Sequence, residues 1–150
     1  MATDLQAMVA RAPLADTHEH QCSAAEWASS PPDPLADVFD WYTRADLCSA
    51  GAPDDVLAAL DDSAGDPGAR FERLAPWWSA IAQTGYGEAV RLAAAACYGL
   101  DELSAVGLRG AVEQAAAWRR PGGRDRLFRE VAGLAGVQID AFELQVPVDP

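Results

Sequence analysis

Lysine and asparagine are absent from this 150-residue sequence, and all 11 of its basic residues are arginines. The 23 acidic residues outnumber them and give a formal net charge of −12 at pH 7. A protein that contacts a phosphate backbone needs a clustered positive surface, so this charge balance argues against nucleic-acid binding. The sequence also lacks an apolar run of the about 20 residues that cross a bilayer and a signal-peptide pattern, so we expect no membrane partner.

Cysteine is scarce as well, because the sequence contains only Cys22, Cys48 and Cys97. The three are widely separated, odd in number and form no C-x-x-C pair, so they do not predict a disulfide framework or a zinc ribbon. Cys97 follows four consecutive alanines, which is typical of a small buried apolar residue. We therefore expect three reduced thiols and a cytoplasmic location.

Helical signals fill the middle of the sequence, and strand signals lie near its two ends. Ser23-Ala24-Ala25-Glu26 is a capping box, and Asp33 followed by Pro34 is an N-cap with a first-turn proline. Residues 14–20 form a weak strand pattern, whereas residues 137–144 alternate apolar and polar side chains. We predict a single unit of three parts: an N-terminal helix and first strand over 1–22, a helical insertion over 23–134, and a second strand over 137–144.

The only two histidines, His18 and His20, lie one residue apart in the first predicted strand. Side chains alternate between the faces of a strand, so both imidazoles project from one face together with Asp16. Imidazoles are suitable ligands for a divalent metal, and a nearby carboxylate is a suitable hydrogen-bond partner for a ligating histidine. An incidental surface pair has the same spacing, and two ligands alone do not hold a catalytic zinc. Cys22 would join them only if the strand continued beyond Glu19.

The segment Leu14-Ala15-Asp16-Thr17-His18-Glu19-His20, which follows a short helix, resembles the first barrel strand of the metal-dependent amidohydrolase superfamily. Several later segments are similar to the helical insertion of the amidohydrolase-related, uronate-isomerase-like branch. These segments are Glu26-Trp27, Ser30-Pro31-Pro32-Asp33, Ala45-Asp46-Leu47-Cys48-Ser49-Ala50-Gly51 and Thr84-Gly85-Tyr86-Gly87. The resemblance covers nearly the whole chain.

This resemblance implies an α/β parent fold, a TIM-type barrel, with His18 and His20 as ligands of a divalent metal, zinc above all, at the carboxyl end of the first strand. It implies hydrolysis, isomerisation or decarboxylation of a small polar substrate through metal-activated water or a metal-polarised carbonyl. The family completes its site with a lysine or glutamate, later histidines and a late aspartate, whereas this sequence has no lysine and no further histidine. A full barrel needs about 250 residues, so we expect an N-terminal fragment that is inactive alone.

Two other interpretations remain open at this point. The chain could be a stand-alone acidic helical module for protein interaction or regulation, in which the histidines are incidental. It could also be a homo-oligomer in which two His18-x-His20 pairs supply four imidazoles; a missing C-terminal half is the other candidate partner.

Two further clusters have a structural and a functional interpretation. Trp77 and Trp78 follow Pro76 in a predicted helix, where packing in a core is the favoured interpretation and a pocket wall is the alternative. Five arginines stand between Arg119 and Arg129 beside a Pro-Gly-Gly turn, and this run is typical of a solvated helix-loop-helix surface. A contact with an anion is its alternative interpretation.

Overall fold

The computed structural model describes residues 4–39 and 41–139. The chain divides into two compact units, a helical unit of residues 30–120 and a sheet unit of Met1–Ser29 with Pro121–Pro150. In chain order the elements are α1 (Asp4–Arg11), β1 (Leu14–Glu19), α2 (Ala24–Ser29), α3 (Pro34–Val38), α4 (Trp41–Ser49), α5 (Asp54–Ala58), α6 (Pro67–Ile81), α7 (Gly85–Tyr98), α8 (Ala105–Trp118), α9 (Gly123–Arg126), a π-helical turn (Leu127–Val131) and β2 (Leu134–Ile139).

Side-chain caps fix where the helices of the helical unit begin. The Asp33 carboxylate accepts hydrogen bonds from the backbone N–H groups of Leu35 and Ala36, as its position before Pro34 predicts. Asp66, Thr84 and Ser104 cap α6, α7 and α8 in the same way. Helix α7 ends at Gly99, whose φ of 66° is in the left-handed region that glycine adopts without strain.

The helical unit has a continuous apolar core to which α3 through α8 all contribute. Leu35, Leu47, Leu74 and Leu108 have no solvent exposure, and the rings of Phe39 and Trp78 meet edge to face at 5.3 Å. Pro76 lies inside α6 without ending the helix. Because the helices bury their apolar faces against one another, this unit needs no sheet beneath it.

Two buried ion pairs tie distant parts of the helical unit together. Arg70 on α6 donates to the Asp33 carboxylate at 2.6 Å, and both side chains are about 95% buried. Arg119, directly after α8, donates to both carboxylate oxygens of Asp37 on α3, at 2.9 and 2.6 Å. The Tyr98 hydroxyl donates to the same carboxylate. Burial and the negative charge of Asp37 raise the pKa of Tyr98, so this phenol stays a neutral donor.

The sheet unit contains β1 and β2, which pair in parallel. Leu14 pairs with Leu134, Asp16 with Val137 and Glu19 with Ile139, with two irregularities of register between them. The predicted first strand is therefore present over Leu14–Glu19. After it, Ser23 and Glu26 form the reciprocal hydrogen bonds of a capping box at the start of α2, at 2.9 and 3.2 Å.

The barrel fold implied by the resemblance is wrong for this chain. The described residues are 64% helical and form one sheet of two strands, whereas a TIM-type barrel closes eight strands. The physical reason lies in the residues between the strands, whose helices bury their apolar side chains in a core of their own rather than against a sheet.

The second strand also differs from its prediction. It spans Leu134–Ile139 instead of 137–144, because Gly133, with a φ of 68°, turns the chain out of the π-helical turn three residues earlier. Residues 140–144 lie outside the described residues. Within 4–39 and 41–139, no helix is both long enough and apolar enough to cross a membrane.

Candidate metal centre

His18 and His20 lie at the carboxyl end of β1, where the chain leaves the sheet. His18 is in the strand, and His20 follows its last residue, Glu19. Both histidines are solvent-exposed, and their ring centres are 4.9 Å apart with an interplanar angle of 86°. The two imidazoles therefore lie side by side where β1 ends.

The spacing of the rings agrees with two imidazoles on one tetrahedral ion. Zinc–nitrogen bonds of about 2.0–2.1 Å and a tetrahedral angle place two ligating ring centres about 5 Å apart. The observed separation is 4.9 Å. Solvent exposure leaves room for water or another ligand beside the two rings.

Asp16 lies two residues before His18, and its carboxylate accepts a hydrogen bond from the backbone N–H of His18 at 3.1 Å. Asp16 also pairs with Val137 of β2. The Asp16 carboxylate thus holds the backbone at His18, and the pairing with β2 holds Asp16 itself.

Within the described residues, the candidate ligands at this place are His18 and His20. In 4–39 and 41–139, no group of three or more histidine, cysteine or acidic side chains is arranged to hold a metal ion. Cys22 is exposed with a free thiol, and β1 ends before it. A catalytic zinc usually has three protein ligands, so the residues present fit half of a tetrahedral site.

The chain matches no protein-family model, no curated protein and no solved structure. Arguments about function therefore rest on the geometry of the chain itself.

Arg124 contacts the segment after the histidines, a role that sequence patterns did not indicate. One of its guanidinium nitrogens, Nη2, donates to Oε1 of Gln21 at 2.7 Å and to the carbonyl of Cys22 at 2.9 Å. Its guanidinium carbon lies 5.3 Å from the centre of the Phe128 ring. Because 102 residues separate Arg124 from Cys22, no spacing rule predicts this contact.

The two tryptophans proposed as a pocket wall belong to the helical unit. Trp78 is 8% exposed and packs in the core against Phe39, and Trp77 is partly buried against that core. The helical unit also has a cleft of about 580 Å³ between α7 and α8, beside Cys97 and Trp118. Burial and the nearby charge of Asp37 raise the pKa of the Cys97 thiol, so this cysteine is a poor nucleophile.

Proposed function

We propose that His18 and His20 are two ligands of a divalent metal ion, with zinc preferred, in a metal-dependent enzyme of the amidohydrolase type that acts on a small polar molecule. The observation that carries the proposal is the 4.9 Å separation of the two exposed rings at the carboxyl end of β1. The distance agrees with the spacing of two imidazoles on one tetrahedral ion, and this agreement supports the proposal.

The chemistry that such an ion supplies is activation of water or polarisation of a carbonyl group. The residues of this chain have two tasks. The imidazoles bind the ion in their neutral form, and Asp16 with the β1–β2 ladder fixes the backbone from which His18 projects. At least one more ligand, from residues outside the described ones or from another chain, is required for catalysis. The small polar substrate would occupy the solvent side of the pair.

A cytoplasmic location is part of the same proposal. All three cysteines are free thiols, and two of them, Cys22 and Cys48, are exposed. Exposed unpaired thiols are stable in a reducing compartment, which supports this location.

Metal titration of the 150-residue chain tests the proposal. We expect one Zn²⁺ or Co²⁺ to bind per chain, His18→Ala and His20→Ala each to weaken binding by at least about 10-fold, and the double variant to abolish it. Thr17→Ala is the matched control, because Thr17 is the exposed β1 residue directly before His18 and carries no imidazole. Equal metal affinity in the native chain and the double histidine variant would overturn the proposal and favour the acidic helical interaction module.

A further inference from the structure

We infer that Arg124 is a positioning residue for the pair His18 and His20. It fixes the backbone directly after His20 and thereby orients the His20 imidazole. This inference rests on the proposed function, since it assigns Arg124 a role at the same site. It concerns residues of the sheet unit alone.

The two histidines are held in different ways. His18 lies within β1 between the paired residues Asp16 and Glu19, and the Asp16 carboxylate accepts a hydrogen bond from its backbone N–H. His20 follows Glu19, the last strand residue, so strand pairing restrains the chain before His20 but not after it. The residues that follow it, Gln21 and Cys22, are the ones to which Arg124 donates. Arg124 therefore supplies, on the far side of His20, the restraint that the strand supplies on the near side.

The contact is suited to this role because it restrains both a side chain and the main chain. Nη2 of Arg124 reaches the Gln21 amide oxygen and the Cys22 carbonyl at 2.7 and 2.9 Å, so one planar group spans two consecutive residues. The Phe128 ring supports the guanidinium group at 5.3 Å, within the range of a cation–π contact.

Arg124 is itself anchored close to the sheet. It is the second residue of α9, which begins at the buried Gly123, and Phe128 lies in the π-helical turn that follows. That turn leads through Gly133 into β2, the strand paired with β1. The segment that carries His20 is thus held at two points of the sheet unit, by the β1–β2 ladder before His20 and by Arg124 after it. π-helical turns are frequent at functional sites, which agrees with this arrangement.

Arg124→Met tests the inference in the full chain, with Arg129→Met as the matched control. Arg129 lies on the next turn, and its hydrogen bond is to Asp125 at the surface rather than to Gln21 or Cys22. We expect Arg124→Met to weaken Zn²⁺ or Co²⁺ binding by about 10-fold, as substitutions of groups that support a metal ligand do, and Arg129→Met to leave it unchanged. Equal affinities in Arg124→Met and the native chain would overturn the inference.

The imidazole resonances of the metal-free chain provide a second, independent readout. We expect Arg124→Met to shift the resonances of His20 most and those of His18 less, because the rings are in contact at 4.9 Å but paired strand residues flank His18 on both sides. Shifts at neither histidine, or equal shifts at both, would contradict the positioning role. This measurement needs no metal, so it distinguishes a failure of the inference from a failure of metal binding by the native chain.

Gln21→Ala keeps the test decisive if Arg124→Met does not fold, since it removes one acceptor and leaves the arginine in place. We expect a smaller loss of metal affinity and a smaller His20 shift in the same direction. Where Arg124→Met does fold, the losses in the double variant should not add, because both substitutions break the same contact. Full additivity, or a native His20 spectrum in Gln21→Ala, would count against the inference.

Discussion

Replacing Arg70 with methionine is expected to destabilise the helical unit severely, although methionine fills much of the same volume. In the native chain, Nη1 of Arg70 contacts the Asp33 carboxylate at 2.6 Å, and Nε and Nη2 donate to the carbonyls of Ala59 and Leu60. All of these groups are buried. Arg70→Met therefore leaves a buried carboxylate without its counter-charge and two buried carbonyls without these donors.

The expected loss in the free energy of unfolding follows from these lost contacts of Arg70. Removing one partner of a buried ion pair costs about 3–5 kcal/mol, because the remaining charge is uncompensated. Total stabilities of natural domains are about 5–15 kcal/mol, so the variant would lose a large part of its stability. Adding Asp33→Asn removes the lone charge and retains an oxygen that can cap α3. The double variant should thus regain about 1–2 kcal/mol relative to Arg70→Met.

Urea denaturation followed by tryptophan fluorescence is the appropriate assay, because four of the five tryptophans belong to the helical unit. Arg73→Met is the matched control on α6, since Arg73 pairs with Asp55 at the surface, where both side chains are more than half exposed. Its effect should stay below about 1 kcal/mol. A loss below about 1 kcal/mol for Arg70→Met, or a double variant less stable than this single one, would refute the reasoning.

Two further predictions concern the starts of α6 and α7. Gly87→Ala should lower stability by at least about 2 kcal/mol in thermal denaturation, because the added Cβ would stand 2.1 Å from the Ile81 carbonyl oxygen. Gly85→Ala is the control and should not lower stability, since no atom lies within 4 Å of its added Cβ. Equal effects of the two substitutions would contradict this prediction. The backbone N–H of Ala69 and the Arg109 guanidinium lower the pKa of Asp66 from its ordinary 3.8. The ionised Asp66 carboxylate therefore contributes to the free energy of unfolding above pH 3.8, and this contribution is lost as the pH falls below that value. In Asp66→Asn, the free energy of unfolding should accordingly depend less on pH in the acid range. An unchanged acid side would speak against this role.

Local features of the fold were predictable from short patterns because their causes are local. Ser23 and Glu26 satisfy each other's backbone N–H groups, and Asp33 caps the helix that Pro34 begins, as their spacing predicts. The proximity of His18 and His20 also has a local cause, since a single residue separates them, although His20 follows β1 rather than lying in it.

Contacts between distant residues were not predictable from spacing. The arginine run was interpreted as a solvated surface, yet the Arg119 side chain is only 8% exposed and pairs with Asp37, 82 residues earlier in the chain. Arg124 likewise contacts Gln21 and Cys22. Arginine is common both at surfaces and in buried pairs, and only tertiary structure decides between them. The barrel prediction failed for a related reason, because short similar segments do not determine how the intervening helices pack.

The parallel pairing of Leu14 with Leu134 has a consequence for the order in which the molecule folds. Closing a flexible loop of about a hundred residues costs about 2 kcal/mol more than closing one of ten, so this ladder is entropically disfavoured early in folding. The intervening helices rely on contacts that are closer in sequence and can form sooner, which shortens the effective loop. The strands would then meet late, after the helical unit has formed. Substitutions in its core, such as at Leu74, should accordingly slow the formation of the β1–β2 ladder even though they do not touch either strand.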